Sequence, residues 1–109
     1  MQHLTLSPQI IGIINQIFDM EKKLERIPEA KSLQRNIRRI KSQLEAMDIE
    51  YHNPLGERYD ETRTDCEATI SGSSNRNLVI TEVIKPLVTT KMGNFQQIIQ
   101  KAVVIVEGV

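Results

Sequence analysis

Apolar residues recur in the first quarter of the chain at the spacing of one helix face, at Ile10, Ile14, Ile17 and Leu24. Ser7 and Pro8 stand just before this pattern. Serine caps free backbone N–H groups and proline is well tolerated in the first helical turn, so the pair is typical of a helix start. We predict a helix over residues 8–26. Further apolar residues widen its face beyond what one neighbouring helix covers.

Pro28 interrupts the helical pattern, because proline disfavours helical geometry in the residue before it. We predict a hairpin connection over residues 26–28, with a single kinked helix as the alternative. A second helix is predicted over residues 29–47. Its apolar residues alternate in steps of four and three, at Leu33, Ile37, Ile40, Leu44 and Met47. Two helices do not cover both apolar faces, so the pattern predicts that two chains pair their hairpins in a four-helix bundle. All nine of these residues are then expected at the dimer interface.

The pattern changes to that of strands after residue 50. Turn-forming residues at 53–56 separate the two parts, and we predict a helical hairpin over residues 1–50 and a compact β domain over 51–109. Residues 64–70 alternate as a half-buried strand does. Pro86 marks an edge or a bend within the apolar run 78–88. The run 98–106 is the most β-prone stretch and is expected to be the central strand. The predicted fold class is α+β.

The composition restricts the classes of function. Lys and Arg together number 14, as do Asp and Glu, so no overall field attracts the chain to nucleic acid or to an anionic membrane. No apolar run approaches the roughly 20 residues that span a bilayer, and the N-terminus lacks the pattern of a signal peptide. We expect a cytoplasmic protein with neither a membrane nor a nucleic acid as its partner.

Catalytic and metal-binding patterns are missing from the sequence. Cys66 is the only cysteine and lies on the apolar face of its predicted strand, where we expect it to be a buried core residue. His3 and His52 have no companion at metal-ligand spacing. Asp60, Glu61, Asp65 and Glu67 are expected to be solvated, with a turn cap as the alternative for Asp60. No phosphate-binding or nucleophile motif occurs. We therefore expect no enzyme activity, no metal and no cofactor.

One helix face of the second predicted helix is basic. Lys31, Arg35 and Arg38 share this face, and Arg39 and Lys41 lie close to it. Such a face is suited to phosphates or to an acidic partner. A solvated outer face of the bundle is the favoured interpretation, and weak binding of RNA or DNA remains an alternative.

The order of these elements resembles the C-terminal part of the GrpE family. The stretch IEYHNPLGERYDETRTDCEATI at 49–70 is similar to the family's apolar strand, glycine, aromatic–Asp pair and Glu-Ala pair. LVITEVIKPLV at 78–88 is similar to its strand and basic–Pro turn, and IIQKAVVIVEG at 98–108 to its closing strand. The segments 14–25 and 33–50 resemble the two helices of the family's bundle. The chain departs from the family at Leu87-Val88, where a glycine and an aromatic residue are usual, and it shows no long N-terminal stalk.

This resemblance implies a function. GrpE proteins are homodimeric nucleotide exchange factors that open the ATPase domain of DnaK-type chaperones and speed the release of ADP, as co-chaperones in protein folding and the stress response. By resemblance, the residues that contact the chaperone are Ile84, Lys85, Pro86, Gln97 and Val106. Core packing remains the alternative for Ile84 and Val106. A dimeric structural or adaptor protein that keeps the fold without exchange activity is the second hypothesis. Tasks that depend on the stalk are expected to be absent or altered.

Overall fold

The structure is a computed structural model that describes residues 6–108. It is an α+β fold in which two helices are followed by six strands, which confirms the predicted class. In chain order the elements are α1 (Pro8–Leu24), α2 (Lys31–Ala46), β1 (Ile49–His52), β2 (Cys66–Ser71), β3 (Val79–Lys85), β4 (Leu87–Met92), β5 (Phe95–Gln100) and β6 (Ala102–Glu107).

Helix α1 begins where the sequence predicts. The Ser7 hydroxyl accepts a hydrogen bond from the backbone N–H of Ile10 at 3.2 Å, and Pro8 is the first helical residue. This satisfies one of the N–H groups that every helix start leaves without an intrahelical partner. The helix buries Ile14, Ile17 and Phe18.

The two helices form a hairpin, so the alternative of one kinked helix is wrong. The Gln34 side chain donates to the backbone carbonyl of Leu24 at 3.1 Å, and Lys41 lies 3.6 Å from the Glu21 carboxylate. Later residues of α2 therefore contact earlier residues of α1, which means that the helices run antiparallel. The connection spans residues 25–30 and includes Pro28.

The strands form two three-stranded sheets, ordered β1-β4-β5 and β2-β6-β3. In the second sheet β6 pairs with β2 in parallel and with β3 in antiparallel orientation. The prediction of a central strand near the end of the chain is confirmed for Ala102–Glu107. Its alternate residues Ala102, Val104 and Val106 are all buried, because a strand with neighbours on both sides exposes little of its packed face.

Two predicted apolar runs each contain two strands. The run 78–88 is divided at Pro86, where β3 ends and β4 begins. Proline has no backbone N–H for a strand ladder, so a break at this position is the expected bend. The run 98–106 is divided at Lys101, and its first residues belong to β5. Gly93 and Asn94 join β4 to β5 in a two-residue hairpin, with the φ of Gly93 at 63°.

The described residues form two compact units. One comprises the chain through Glu50 together with Thr90–Gln97, and the other comprises Tyr51–Thr89 together with the chain from Ile98 onward. The prediction gave a single boundary after residue 50, whereas the chain passes between the units at three points. The difference arises because Thr90–Gln97 groups with residues that are distant in sequence, and hydrophobic periodicity does not report such long-range grouping.

Candidate partner-binding surface

The side chain of Ile84 points outward because β3 contains an irregularity at this residue. Val83 pairs with Val104 and Lys85 with Val103, so β3 advances two residues while β6 advances one. Ile84 is therefore the extra residue of a β-bulge, and its side chain is 49% exposed. Bulges bend a strand and redirect a side chain, and they are frequent near functional sites. The alternative that Ile84 is a core residue is wrong.

Lys85 and Pro86 continue this segment but differ in accessibility. Lys85 is exposed at the end of β3, whereas the Pro86 side chain is fully buried. The Pro86 carbonyl accepts a hydrogen bond from the Gln100 side chain at 3.0 Å, which fixes the bend. We infer that Pro86 positions its neighbours. Its buried side chain offers no surface for the direct partner contact that the resemblance implies.

Val106 and Gln97 complete the set of residues predicted from the resemblance. Val106 is 0% exposed near the end of β6 and pairs with Ile70 and Ile80, so it is a core residue with no surface for a partner. Gln97 is half-buried in β5, close after the hairpin turn. Of the five predicted residues, Ile84 and Lys85 are the ones with exposed side chains.

The outer face of the β2-β6-β3 sheet extends the surface around Ile84. Val103 pairs with Glu67 on one side and with Lys85 on the other, and Ile105 pairs with Thr69. Directly paired residues project from the same face of a sheet. Val103 and Ile105 are half-buried, in contrast to the fully buried Val104 and Val106. We call Ile84, Lys85, Val103 and Ile105 the β3–β6 surface.

Sequence reasoning missed one exposed aromatic residue. Phe95 directly follows the Gly93-Asn94 turn and is 57% exposed, whereas the chain's other phenylalanine, Phe18, is buried in α1. The sequence signal that could have indicated exposure is an aromatic residue immediately after a tight hairpin turn, since turns lie at the surface. Aromatic residues, phenylalanine among them, are enriched in protein–protein interfaces relative to the rest of the surface.

The residues predicted for the dimer interface differ in burial within one chain. Ile14, Ile17 and Ile37 are buried. Ile10, Leu24 and Leu44 are half-buried. Leu33, Ile40 and Met47 are exposed. The single hairpin thus covers only part of the two apolar faces that the sequence contains.

The exposed apolar residues of the hairpin recur every seven positions. In α1 and the connection they are Ile13, Met20 and Ile27, and in α2 and its C-cap they are Leu33, Ile40 and Met47. We call these two sets the heptad rows. A seven-residue repeat keeps apolar side chains on one side of a helix and is typical of helices that pack against another helix. The heptad rows are therefore suited to association with further helices.

Charged side chains fix the segment that leads into β2. Arg63 donates to both carboxylate oxygens of Asp65 at 3.0 Å each, to Glu57 at 3.2 Å and to the carbonyl of Arg58 at 2.9 Å. The Arg63 hydrogen bonds hold the pKa of the Asp65 carboxyl below its usual range, despite partial burial. We call Arg63, Asp65 and Glu57 the Arg63 cluster. Its members bond each other, which is typical of a structural role.

The side chains that could act in catalysis, Asp60 and Cys66, are hydrogen-bonded or buried. Burial raises the pKa of the Cys66 thiol to about 11, so it is protonated at neutral pH and is a poor nucleophile. The Asp60 side chain accepts hydrogen bonds from the backbone and the hydroxyl of Thr62, so the alternative of a turn cap is the one that the structure shows. Among residues 6–108, no three His, Cys, Asp or Glu side chains are grouped to hold a metal ion. Within the same range, no helix is long and apolar enough to cross a membrane.

No protein-family model matches this chain. No curated protein matches it, and no solved structure matches it.

Proposed function

We propose that this chain is a GrpE-like nucleotide exchange factor, which acts as a homodimer to promote ADP release from a DnaK-type chaperone. The observation that carries the proposal is the outward-directed pair Ile84 and Lys85, which lies in the segment that resembles the family's contact strand. The proposal assigns the β domain to the chaperone and the hairpin to the second chain.

The positions of the resembling segments support this proposal. The stretch 49–70 contains β1 and most of β2, the stretch 78–88 contains β3 and the start of β4, and the stretch 98–108 contains the end of β5 and all of β6. The resemblance therefore follows successive elements of the fold. Two helices and two small sheets also agree with the arrangement that the resemblance implies.

The proposed mechanism is mechanical and uses no catalytic group. A protein that promotes nucleotide release must bind the open form of the ATPase domain more tightly than the closed form, since a ligand shifts an equilibrium only through unequal affinity. The β3–β6 surface has half-buried apolar residues at its centre, with Lys85 beside them. An apolar centre surrounded by charge is the usual composition of a protein–protein contact.

The test is the release of a fluorescent ADP analogue from a DnaK-type ATPase domain, followed by stopped flow. We expect the wild-type chain to accelerate release in a saturable manner. Ile84→Asp and Lys85→Glu should each weaken binding at least ten-fold, which corresponds to about 1.4 kcal/mol. Matched control variants are Ile70→Asp and Lys101→Glu, which change exposed residues outside the β3–β6 surface. Equal effects from the two pairs would reject the assigned site, and no acceleration by a folded wild-type chain would reject the function.

A second candidate function is a dimeric adaptor that keeps this fold without exchange activity. The observation that favours it is Val88, which is 0% exposed at a position where the resembling family has an aromatic residue after its basic–Pro turn. A pull-down that enriches another protein and never a DnaK-type chaperone would select this candidate. Recovery of the chaperone with the wild-type chain and its loss with Ile84→Asp would reject it.

A further inference from the structure

Helix α2 concentrates positive charge in a chain that is neutral overall. Its sequence KSLQRNIRRIKSQLEA contains five basic residues and one acidic residue. Lys41 is paired with Glu21 of α1. The remaining four basic residues, which we call the basic stripe, are Lys31, Arg35, Arg38 and Arg39.

The basic stripe occupies one side of α2. At about 100° per residue, its four members fall within an arc of about 100°, and the arc lies roughly opposite Leu33, Ile40 and Met47. All four side chains are exposed. Packing of another helix against the heptad row of α2 therefore leaves the basic stripe open to solvent.

Acidic side chains do not neutralise the stripe along its length. Within residues 6–108, no salt bridge joins any of its four members to a carboxylate. Glu45, the acidic residue of α2, follows Arg39 by about 9 Å along the helix axis. Arg38 is at the border of the stripe, beside a groove that Glu21 and Glu25 also line. Glu29 stands two residues before Lys31, so the charge is least compensated at Arg35 and Arg39.

The neighbours of the stripe indicate what kind of anion it fits. Ser32 and Ser42 lie beside the four cations, and no aromatic or large apolar side chain lies within the arc. Protein partners normally need a buried apolar or aromatic anchor, which this side of α2 lacks. A membrane surface would require the apolar row to face the lipid together with the basic residues, but the two lie on opposite sides.

Phosphodiester backbones match the stripe in charge and in chemistry. Three of its four cations are arginine, whose guanidinium can bind a phosphate through two hydrogen bonds, and serine hydroxyls also donate to phosphates. Steps of four and three residues place successive cations about 6 and 4.5 Å apart along the axis. We propose that the basic stripe of α2 binds the backbone of a nucleic-acid duplex without sequence specificity. A duplex is favoured over a single strand because the stripe has no aromatic side chain on which bases stack.

The proposal is tested by fluorescence anisotropy with labelled mixed-sequence DNA and RNA duplexes, using the full chain at 50 to 200 mM salt. Neutralising four phosphates gives a slope of log affinity against log salt of about −3.6 per chain. Arg35→Gln with Arg39→Gln should reduce the magnitude of that slope by about 2 and weaken binding at least ten-fold. The control removes the same charge with Arg76→Gln and Lys101→Gln, which are exposed in the other unit, and should leave both values unchanged.

Several outcomes would overturn the proposal. The proposal is rejected if neither duplex binds at 50 mM salt. It is also rejected if the two double variants lose the same affinity for the duplex. Competition by polyglutamate as strong as that by unlabelled duplex would show attraction to any acidic chain, including an acidic protein. Preference for one of the two duplexes would identify which backbone geometry the stripe accepts and would support the proposal. Circular dichroism of each variant establishes that the helix content is unchanged.

Discussion

The backbone around Gly108 leaves no room for a side chain. A Cβ placed there would lie 2.7 Å from the carbonyl oxygens of Ser74 and Arg76, and 2.9 Å from the Ser74 hydroxyl. Two of these atoms belong to the backbone, so the loop between β2 and β3 would have to shift. Gly12 differs, because it lies in α1 and a Cβ there meets nothing within 4 Å.

We predict opposite effects on stability from alanine at these two glycines. Gly108→Ala should lower the free energy of unfolding by about 1 to 3 kcal/mol, as overpacking does. Gly12→Ala should raise it by about 0.5 to 1 kcal/mol, because alanine loses less conformational entropy in a helix. Urea denaturation of both variants measures the two values. A Gly108→Ala variant as stable as wild type would show that residues 74–76 do not pack closely on Gly108.

The Arg63 cluster stabilises an irregular segment of the chain, which extends from the turn at residue 56 to the start of β2. Arg63 is largely buried, and it joins a carboxylate near each end of this segment. The sequence offers no periodicity here from which to predict the path of the chain. Side-chain hydrogen bonds between charged groups therefore replace the backbone ladder that holds a strand or a helix.

We predict that Asp65→Asn lowers stability by about 1 kcal/mol at pH 7, since the pair is bidentate but partly exposed. The Arg63 hydrogen bonds lower the pKa of Asp65 from its usual 3.8 in the folded chain. A lowered pKa contributes stability that is complete above pH 3.8 and is lost as the pH falls through the folded pKa. The difference between wild type and Asp65→Asn should therefore narrow below pH 3.8.

The control for this prediction is Asp19→Asn, which removes the exposed pair between Asp19 and Lys23. Exposed helix pairs contribute about 0.3 to 0.5 kcal/mol, so this variant should change stability less. Thermal unfolding at several pH values measures both variants. A constant difference between Asp65→Asn and wild type from pH 7 to pH 2 would contradict the linkage to the Asp65 carboxylate.

At the scale of elements, the sequence predicted helices better than it predicted strands. Helix α1 begins at Pro8 as predicted and ends two residues before the predicted end. The strand predictions were coarser, because two apolar runs each contained two strands and the alternation of β1 extends over only four residues. A helix is defined by contacts between near neighbours, whereas the ends of a strand depend on partners that are distant in sequence.

At the scale of the whole molecule, the heptad rows predict self-association. We expect a dimer by light scattering at micromolar concentration, because six exposed apolar side chains at seven-residue spacing need a covering surface. Ile40→Glu with Met47→Glu should convert the dimer to a monomer, since a buried unpaired charge costs several kcal/mol.

The matched control for association is Leu55→Glu with Ile70→Glu, which changes two exposed apolar residues outside the hairpin. This variant should keep the mass of the wild type. A monomeric wild type would reject the interpretation of the two apolar helix faces. A dimer that persists in both double variants would place the association elsewhere on the chain.

The candidate contact residues could be predicted only in part. The resemblance pointed to Ile84, Lys85, Pro86 and Val106, but it did not distinguish exposed from buried positions. The bulge at Ile84 exposes that side chain, while the position of β6 between two strands buries Val106. Phe95 was not predicted, because exposure at a turn depends on how the hairpin packs.

The sequence by itself determined the features that depend on local contacts. Ser7 and Pro8 start a helix, Pro86 divides two strands, and the long apolar run near the end of the chain supplies a central strand, because each follows from sterics or from the spacing of apolar residues. Only the tertiary structure decided which strands pair, which units the chain forms and which apolar residues remain exposed. Those properties depend on neighbours far apart in sequence, and periodicity within a single segment does not report them.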